Sequence, residues 1–394
     1  MKAGKGRIGG ILQDDVVTIL IILIREKMTL LFEEKEMSKR IVVLGGDGVG
    51  PEVCDVASNI LEKMQLEFEI LKPPGGESAV EKYGTPFPDE TRRLCGEVDA
   101  VLFGAAGSFS SPIIDFLRWG LDNYVNIRPI KYYPGVTTPL RDAEGIDMVI
   151  LRENSEGFYP SGREGDISQL AEKWPDWKDK LLGKHFKDYG IGKFAIRIIT
   201  EQGVSRMMKF ACEFTKKRKE QGYPGKLTLS TKSNMLKESC GLVQRMAEAE
   251  IKKYQNLSYE HFYIDDMARR VLRYPKDMDV IVTTNMFGDI LSDEASELVG
   301  GLGMVPSACI GGKTPYFEPV HGSAPKYAKK NVINPTAMIL SVKMMLDYFG
   351  MEKEAKNLEK AIAHVYREGK HLTQDQGGQS TTKEFGEAVL HKLG

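Results

Sequence analysis

The segment Asn285–Ala295 constrains this chain more than any other stretch of its sequence. It follows directly on the apolar run Asp279–Thr283, which reads as a buried strand, and its own apolar spacing predicts a helix. Helical geometry then puts Asp289 and Asp293 one turn apart on a single face. Two like charges at that spacing repel by roughly 0.2–0.5 kcal/mol on an isolated helix. Read alone, the pair fits either a solvated helix face or a seat for a cation. Oxygen ligands of this kind suit a hard ion, Mg²⁺ or Mn²⁺.

The rest of the composition narrows the function classes. A chain of 394 residues has room for two lobes and a large buried core. Its net charge of -1 gives no basic bias toward nucleic acid and no polybasic cluster for a membrane surface. The short run Lys216-Lys217-Arg218-Lys219 reads as the solvated end of a helix. The five cysteines (Cys54, Cys95, Cys212, Cys240, Cys309) are scattered and contain no Cys-x-x-Cys. That argues for a reducing, cytoplasmic setting and against a disulfide framework or a zinc site. The six histidines are scattered too. Val16–Ile24 is apolar but too short by about half to span a bilayer. Its flanks suit neither a signal nor a transit peptide, so residues 1–36 read as an extension and Met37 as the native start. The intact mass of the native protein checks that start.

Apolar runs alternate with helical patterns along the chain. Strands are expected at Arg40–Leu44, Asp99–Phe103, Asp147–Leu151, Phe194–Ile199, Leu227–Ser230, Tyr259–Ile264 and Asp279–Thr283. Helices are expected from Gly50 through Met64, over Ile113–Asn123 and Gln202–Arg218, and over most of the chain beyond Pro335. Gly104–Gly107 reads as a tight exit turn. The class is α/β with doubly wound sheets rather than a regularly repeating barrel. The segment 161–192 breaks the pattern, being rich in Lys, Asp, Gly and Trp with weak periodicity. It fits a protruding arm that packs on a second subunit, or a long loop covering its own domain.

Two further groups of residues carry chemical meaning. The loop Gly45-Gly46-Asp47-Gly48-Val49-Gly50-Pro51-Glu52 is glycine-rich at a strand end, but its spacing is G-x-G-x-G and fails the dinucleotide fingerprint. It offers backbone N–H groups to an anion or permits close approach of a ligand. Arg118, Arg128 and Arg152 lie near predicted strand ends and turns, where guanidiniums clamp carboxylates in bidentate fashion. Each alone fits a surface ion pair. Together with an acidic cation seat they pose the problem of binding a small polycarboxylate beside a metal.

From Met37 to the C-terminus the chain resembles the β-decarboxylating dehydrogenases, the family that handles isopropylmalate, isocitrate, homoisocitrate and tartrate. The resemblance rests on Gly46–Val53, the Arg118…Arg128 pair, Arg152…Tyr159, Thr231-Lys232-Ser233-Asn234, Tyr263-Ile264-Asp265, Asn285–Ala295 and Glu318–Pro325. It implies a two-lobed isopropylmalate/isocitrate dehydrogenase-like fold, with mixed sheets flanked by helices and no Rossmann domain. Residues 37–123 with 300–394 form the cofactor-binding domain in that reading, and 124–299 the central domain with the metal and the dimer interface. It further implies a divalent metal held by Asp289, Asp293 and a partner subunit's Asp265, with Lys232, also from the partner, as general base. Tyr159 protonates the product carbon, and Arg118, Arg128 and Arg152 hold the substrate carboxylates. The nicotinamide cofactor is expected on Glu318, His321, Gly322, Ser323, Ala324, Lys326 and Tyr327, with Asn334 and Asp375. Lys326 stands where users of NAD often place a carboxylate, which leans the cofactor toward NADP. Shared sites imply a homodimer or a higher oligomer. A non-catalytic regulatory subunit of the same family would lack metal or base residues, and here all of them are present.

The variable part of the substrate falls to the helix bearing Arg118. Isocitrate enzymes carry Ser and Asn six and four residues before that arginine, where this chain has Pro112 and Ile114. Homoisocitrate enzymes can carry an arginine three before it, and here Asp115 has the opposite charge. Isopropylmalate enzymes carry apolar residues three and four before it, a pattern that Ile114 fits and Asp115 does not, and Ile114 also fits simple packing in the helix core. The segment Gly84–Thr91 resembles isopropylmalate enzymes, and Arg152–Gly157 resembles isocitrate or tartrate enzymes. Isopropylmalate is the expected substrate.

Overall fold

The computed structural model describes residues 38–160 and 162–393, so the expected extension and start at Met37 lie outside the described residues. The strands are β1 Lys39–Gly46, β2 Phe68–Leu71, β3 Ala100–Ala105, β4 Val125–Lys131, β5 Asp147–Glu153, β6 Glu164–Asp166, β7 Lys193–Ala195, β8 Lys226–Thr231, β9 Ser258–Tyr263, β10 Val280–Thr283, β11 Pro306–Ile310 and β12 Tyr316–Pro319. Ten of them form one mixed sheet in the order β2-β1-β3-β12-β11-β4-β5-β10-β8-β9. The pairs β1–β3, β3–β12, β5–β10, β10–β8 and β8–β9 are parallel. The centre, β12–β11–β4–β5, is antiparallel. Two parallel wings thus meet at an antiparallel seam.

The wings are apolar for a physical reason. A parallel strand covered on both faces has no solvent side, so its sequence reads as a continuous apolar run. Every residue of β3 and β10 is buried. Two clusters cover the sheet. One packs Val42, Leu44, Val101 and Phe103 against Ile113, Ile114 and Leu117. The other packs Ile130, Met148, Ile150 and Ile281 against Met267, Leu291 and Leu298. No helix among the described residues is long and apolar enough to cross a membrane.

Several expectations need correction. Phe194–Ile199 is no core strand: only Lys193–Ala195 is extended, paired with β6 in a separate two-stranded ribbon. Lys193 and Ala195 are exposed there, so a single phenylalanine provides too little apolar face to join the main sheet. Gly104 and Ala105 belong to β3, and the turn begins after them. The expected helix Ile113–Asn123 is an α-helix only over Ser111–Asp115, followed by a π-helix over Phe116–Gly120. Asn123 sets that wider turn. Its backbone N–H donates to the Arg118 carbonyl at 2.9 Å, and its side-chain amide donates to the Leu117 and Thr314 carbonyls, both at 2.8 Å. Such π-turns occur often at functional sites. The 162–192 stretch holds a helix, Ile167–Lys173, and a stacked pair, Trp177 on Phe186 at 4.1 Å. Trp174, Trp177, Leu181 and Ile191 are exposed on it.

Candidate active site

Arg152 stands near the end of β5, and the register pairs it with Thr283 of β10, just ahead of the helix Asn285–Ser296. That helix is laid across its guanidinium. Asn285 Oδ1 accepts from Arg152 Nε at 3.0 Å and from Nη2 at 2.8 Å, while Asn285 Nδ2 donates to the Glu156 carbonyl at 2.9 Å. Arg152 Nη1 donates to Asp289 Oδ1. Gly288 allows the helix to come so close, since a Cβ there would stand 2.7 Å from Arg152 Cβ and 2.9 Å from its Cγ. Burial, and then the nearby Arg128 and Arg118, push the Arg152 guanidinium down to about 10, with Asp289 pulling the other way.

Arg128 joins from β4. Antiparallel register sets Arg128 opposite Ile150 and Asn126 opposite Arg152, so both arginines project from one face of the sheet. Arg128 Nη1 donates to Ser292 Oγ at 2.6 Å and lies 3.2 Å from Asp289 Oδ1 and 3.5 Å from Asp293 Oδ1. Its Nε donates to Asn126 Oδ1 at 3.3 Å. Arg118, on the π-turn, donates to Tyr316 Oη at 3.5 Å and sits 4.0 Å from Glu318 Oε1. Tyr159 Oη donates to Asp289 Oδ2 at 3.0 Å.

The two metal-type carboxylates therefore differ. Partial burial opposes ionisation of Asp289, but Arg152 and Arg128 outweigh it and hold the carboxyl below its usual range. Asp293 is pushed up by burial, with Arg128 opposing and Asp289 adding to the rise. Burial raises the Tyr159 hydroxyl, and the adjacent Asp289 raises it further.

Lys232 and Asp265 stand apart from this cluster. Lys232 follows β8, Asp265 opens the helix Ile264–Arg273 after β9, and Lys232 Nζ donates to Asp265 Oδ1. That bond holds the Asp265 carboxyl low. No group of three His, Cys, Asp or Glu among the described residues is placed to hold a metal. Asp289 and Asp293 therefore have no third such side chain grouped with them among the described residues.

The expected cofactor residues divide as well. Glu318, on β12, is buried against Arg118 and belongs to the arginine cluster; burial raises its carboxyl while Arg118, Arg128 and Arg152 pull it down. His321 Nδ1 lies 3.0 Å from the Gly322 carbonyl, and its Nε2 is shielded from solvent without a hydrogen-bond partner among the described residues. Gly322 is exposed, and Ala324 has a φ of 38°. Lys326 is exposed beside the Tyr327 ring, with Nζ 5.4 Å from the centroid. Asn334 donates to Asp375 Oδ2 and to Tyr366 Oη, both at 3.0 Å. Ile114 is packed into the core behind Arg118.

Three N–H groups of the glycine-rich loop are committed to the chain's own backbone. Its Asp47 N–H donates to the Ala105 carbonyl, Gly50 N–H to the Asp47 carbonyl and Val49 N–H to the Ser323 carbonyl, at 3.0, 3.0 and 2.9 Å. The close approach it permits is to the chain's own backbone: a Cβ on Gly48, whose φ is +58°, would stand 2.0 Å from the Ser323 oxygen. Sequence reasoning also passed over Asn126, Asn285, Ser292 and Tyr316, which fix the three guanidiniums. Asn285 and Ser292 lie inside the segment already singled out, but only the register reveals which arginine each one holds.

An open α/β scaffold with three guanidiniums turned on a pair of metal-type carboxylates is built for a dehydrogenase that grips a small polyacid. The chain belongs to the isocitrate/isopropylmalate dehydrogenase family, whose description matches residues 40–389. It is 41% identical over 355 residues to the 3-isopropylmalate dehydrogenase of Archaeoglobus fulgidus, spanning 90% of this chain and 99% of that one. It is also 41% identical to the 3-isopropylmalate/3-methylmalate dehydrogenase of Methanocaldococcus jannaschii, across 90% of this chain and 98% of the relative. Among solved structures it is similar to the isocitrate dehydrogenase of Methylococcus capsulatus, with a TM-score of 0.78 and 31% identity over 90% of this chain and 99% of that one. Members of this family work with a divalent metal and NAD(P). The residues present fit both groups: hard oxygen donors at Asp289 and Asp293, and an unpartnered, shielded His321 Nε2 beside an open glycine.

The Gly288 contact generates a prediction with a definite sign. Alanine for glycine inside a helix ordinarily stabilises by about 1 kcal/mol. Gly288→Ala here is expected to destabilise by about 1–3 kcal/mol, because the new methyl meets the Arg152 stem. A denaturation midpoint at or above that of the wild type would show that the helix can shift without cost.

Proposed function

We propose that the chain oxidises and decarboxylates a malate-type 2-hydroxy acid with hydride transfer to NAD(P), and that the acid is 3-isopropylmalate. The convergence of Arg118, Arg128 and Arg152 beside Asp289 carries this reading. Two buried guanidiniums and a third that is largely covered are costly to assemble unless they serve anionic groups of a ligand. The identity to curated 3-isopropylmalate dehydrogenases supports the choice of acid. So does the sequence ahead of Arg118, where Pro112 and Ile114 supply no polar group and Asp115 opposes a further carboxylate.

The roles follow from chemistry at named atoms. The arginines bind the two carboxylates and fix the carbinol carbon. Lys232 Nζ, from a second copy, takes the hydroxyl proton while hydride leaves the carbinol carbon for the nicotinamide ring. The carbon–carbon bond to the departing carboxylate then breaks, CO₂ leaves, and Tyr159 Oη returns a proton to that carbon. Mg²⁺ or Mn²⁺ held by Asp289 and Asp293, with Asp265 of a second copy, supplies Lewis-acid polarisation of the substrate oxygen. Residues 37–123 with 300–394 carry the dinucleotide, through the loop after β12, and 124–299 carry the metal and the dimer face, with 161–192 as the arm. Exposed Lys326 beside Tyr327 favours the 2′-phosphate of NADP. Five buried free cysteines accord with a cytoplasmic, reducing setting.

A steady-state panel of isopropylmalate, isocitrate, homoisocitrate, tartrate and malate, each with NAD and NADP, tests the substrate. Isopropylmalate is expected to lead in kcat/KM by about tenfold or more; parity with isocitrate would overturn that choice. Lys326→Asp is expected to move the NADP/NAD ratio toward NAD by about tenfold, and an unmoved ratio would place the reading of the 2′-phosphate elsewhere.

Shared sites make a separate prediction. Lys232→Met and Asp289→Asn homodimers are each expected to be inactive. Dissociated and reassociated at equal amounts, they recover about a quarter of wild-type turnover, since half the dimers are mixed and each holds one intact site. No recovery from a mixture shown by mass to contain mixed dimers would remove the second copy from the site.

A further inference from the structure

The glycine-rich loop left one residue without a function, Asp47, and its carboxylate is buried. Among the described residues it makes no ion pair. Oδ1 accepts from the Glu77 backbone N–H at 2.9 Å, and Oδ2 accepts from the Phe109 and Ser110 N–H groups, both at 3.0 Å. Phe109 and Ser110 lead into the short helix Ser111–Asp115 and the π-turn that bears Arg118. Ser110 is the N-cap of that helix, yet its own hydroxyl does not cap it and instead accepts from Gly107 N–H at 3.0 Å. The segment that leads into the helix is thus held from more than sixty residues away.

The backbone around Asp47 reaches the other half of the site. Val49 N–H donates to the Ser323 carbonyl at 2.9 Å, and Ser323 N–H donates to the Ala106 carbonyl at 3.1 Å. Ser323 lies in the loop read above as the dinucleotide seat. Gly107 shows how tight the corner is: a Cβ there would stand 2.5 Å from Asp47 Oδ2 and 3.0 Å from Ser323 Oγ. One carboxylate and its adjoining peptide groups therefore tie the turn carrying Arg118 to the loop carrying Ser323.

We propose that Asp47 is a positioning residue for hydride transfer: it sets the spacing between the hydroxy acid on Arg118 and the nicotinamide dinucleotide on the Ser323 loop. This rests on the assignment of those two seats under the proposed function. An aspartate is required because three amide N–H groups converge on two oxygens, each of which must accept. Asparagine keeps the shape but turns an NH₂ donor toward at least one of those amides. Donor–acceptor distance for hydride is unforgiving, and a displacement of about 1 Å far from the chemistry costs on the order of a hundredfold.

The test compares Asp47→Asn with Asp279→Asn in the metal-loaded enzyme, using the best hydroxy acid of the panel, protiated and deuterated at its carbinol carbon. Asp279 is another buried carboxylate, remote from the arginine cluster, that accepts from the Gly225 and Lys226 N–H groups at 2.8 and 3.0 Å and also pairs with Arg218 Nε at 2.8 Å, ahead of β10. Both variants are expected to lose stability. Assayed well below their unfolding temperatures, only Asp47→Asn is expected to lose kcat/KM by about thirtyfold or more, with KM raised for acid and dinucleotide together and a larger deuterium isotope effect on kcat. Gly107→Ala displaces the same carboxylate without removing it and is expected to raise the isotope effect likewise, which keeps the proposal testable if Asp47→Asn does not fold. Wild-type KM values and isotope effect in the folded Asp47 or Gly107 variant, or a profile shared with Asp279→Asn, would overturn it. Arg118→Gln separates the two levels: if it leaves the KM for the acid unchanged, the seat itself is misassigned, and if it raises that KM while Asp47→Asn does not, only the positioning role falls.

Discussion

The site depends on one buried guanidinium. Arg152 lies under the helix Asn285–Ser296, and a charge in that position is tolerable only if its donors are spoken for. Asn285 takes two of them and Asp289 a third, so the first and second turns of one helix close over the end of β5. That closure requires a glycine at 288, where helix propensity alone would favour almost any other residue. Once the helix is fixed, Asp293 follows one turn later, and Ser292 is turned toward Arg128. The carboxylate pair is presented in one place because an arginine beneath it leaves the helix no other position.

Such a cluster is poor value as a source of stability. Buried ion pairs return little more than their desolvation costs, whereas breaking one leaves an uncompensated charge. Its worth lies in electrostatics held ready for a ligand. Arg118, Arg128 and Arg152 face Asp289, Asp293 and Glu318, three cations against three anions within one group of contacts. The arginines are not equivalent. Burial and like charge press on Arg152, and Asn285 immobilises it; Arg118, despite its burial, is held above its ordinary value by Tyr316 and Glu318. Arg128 lies between both metal-type carboxylates. On the proposed function an anionic substrate enters a group that is already satisfied, and it binds by exchanging partners rather than by filling a bare positive pocket.

Much of this was readable before any coordinates. The buried parallel strands at Arg40, Asp99, Asp147, Leu227 and Asp279 announce themselves as apolar runs, since both their faces are covered. The antiparallel seam does not. β4 contains Arg128 and a proline, and β11 and β12, though paired with each other as a hairpin, are short strands whose outer partners, β4 and β3, are remote in sequence. Periodicity also fails at the π-turn, because the bonds from Leu121 to Phe116 and from Asn123 to Arg118 depend on a distant Thr314 carbonyl that engages Asn123. In the site, the three arginines and the Asp289/Asp293 pair were singled out by type and spacing, whereas Glu318, expected at the cofactor, stands against Arg118. The neutral residues that aim them, Asn126, Asn285, Ser292 and Tyr316, were not, for their meaning lies in register across strands.

That π-turn also bears on how the variable part of the acid is read. Counting three or four residues back from Arg118 assumes α-helical spacing, in which those positions share its face. A turn closed by i→i+5 bonds carries about one more residue, so the positions sharing Arg118's face move back by the same amount. Ile113 and Ile114 both enter the core cluster with Leu117. Their apolar character is first a requirement of packing, and a side chain committed to the core meets the ligand only as the wall behind Arg118. On the proposed function, selection then operates by what the segment withholds. Ile113 and Ile114 offer no donor to a third carboxylate, and a branched apolar group is the kind of substituent that tolerates such a surface.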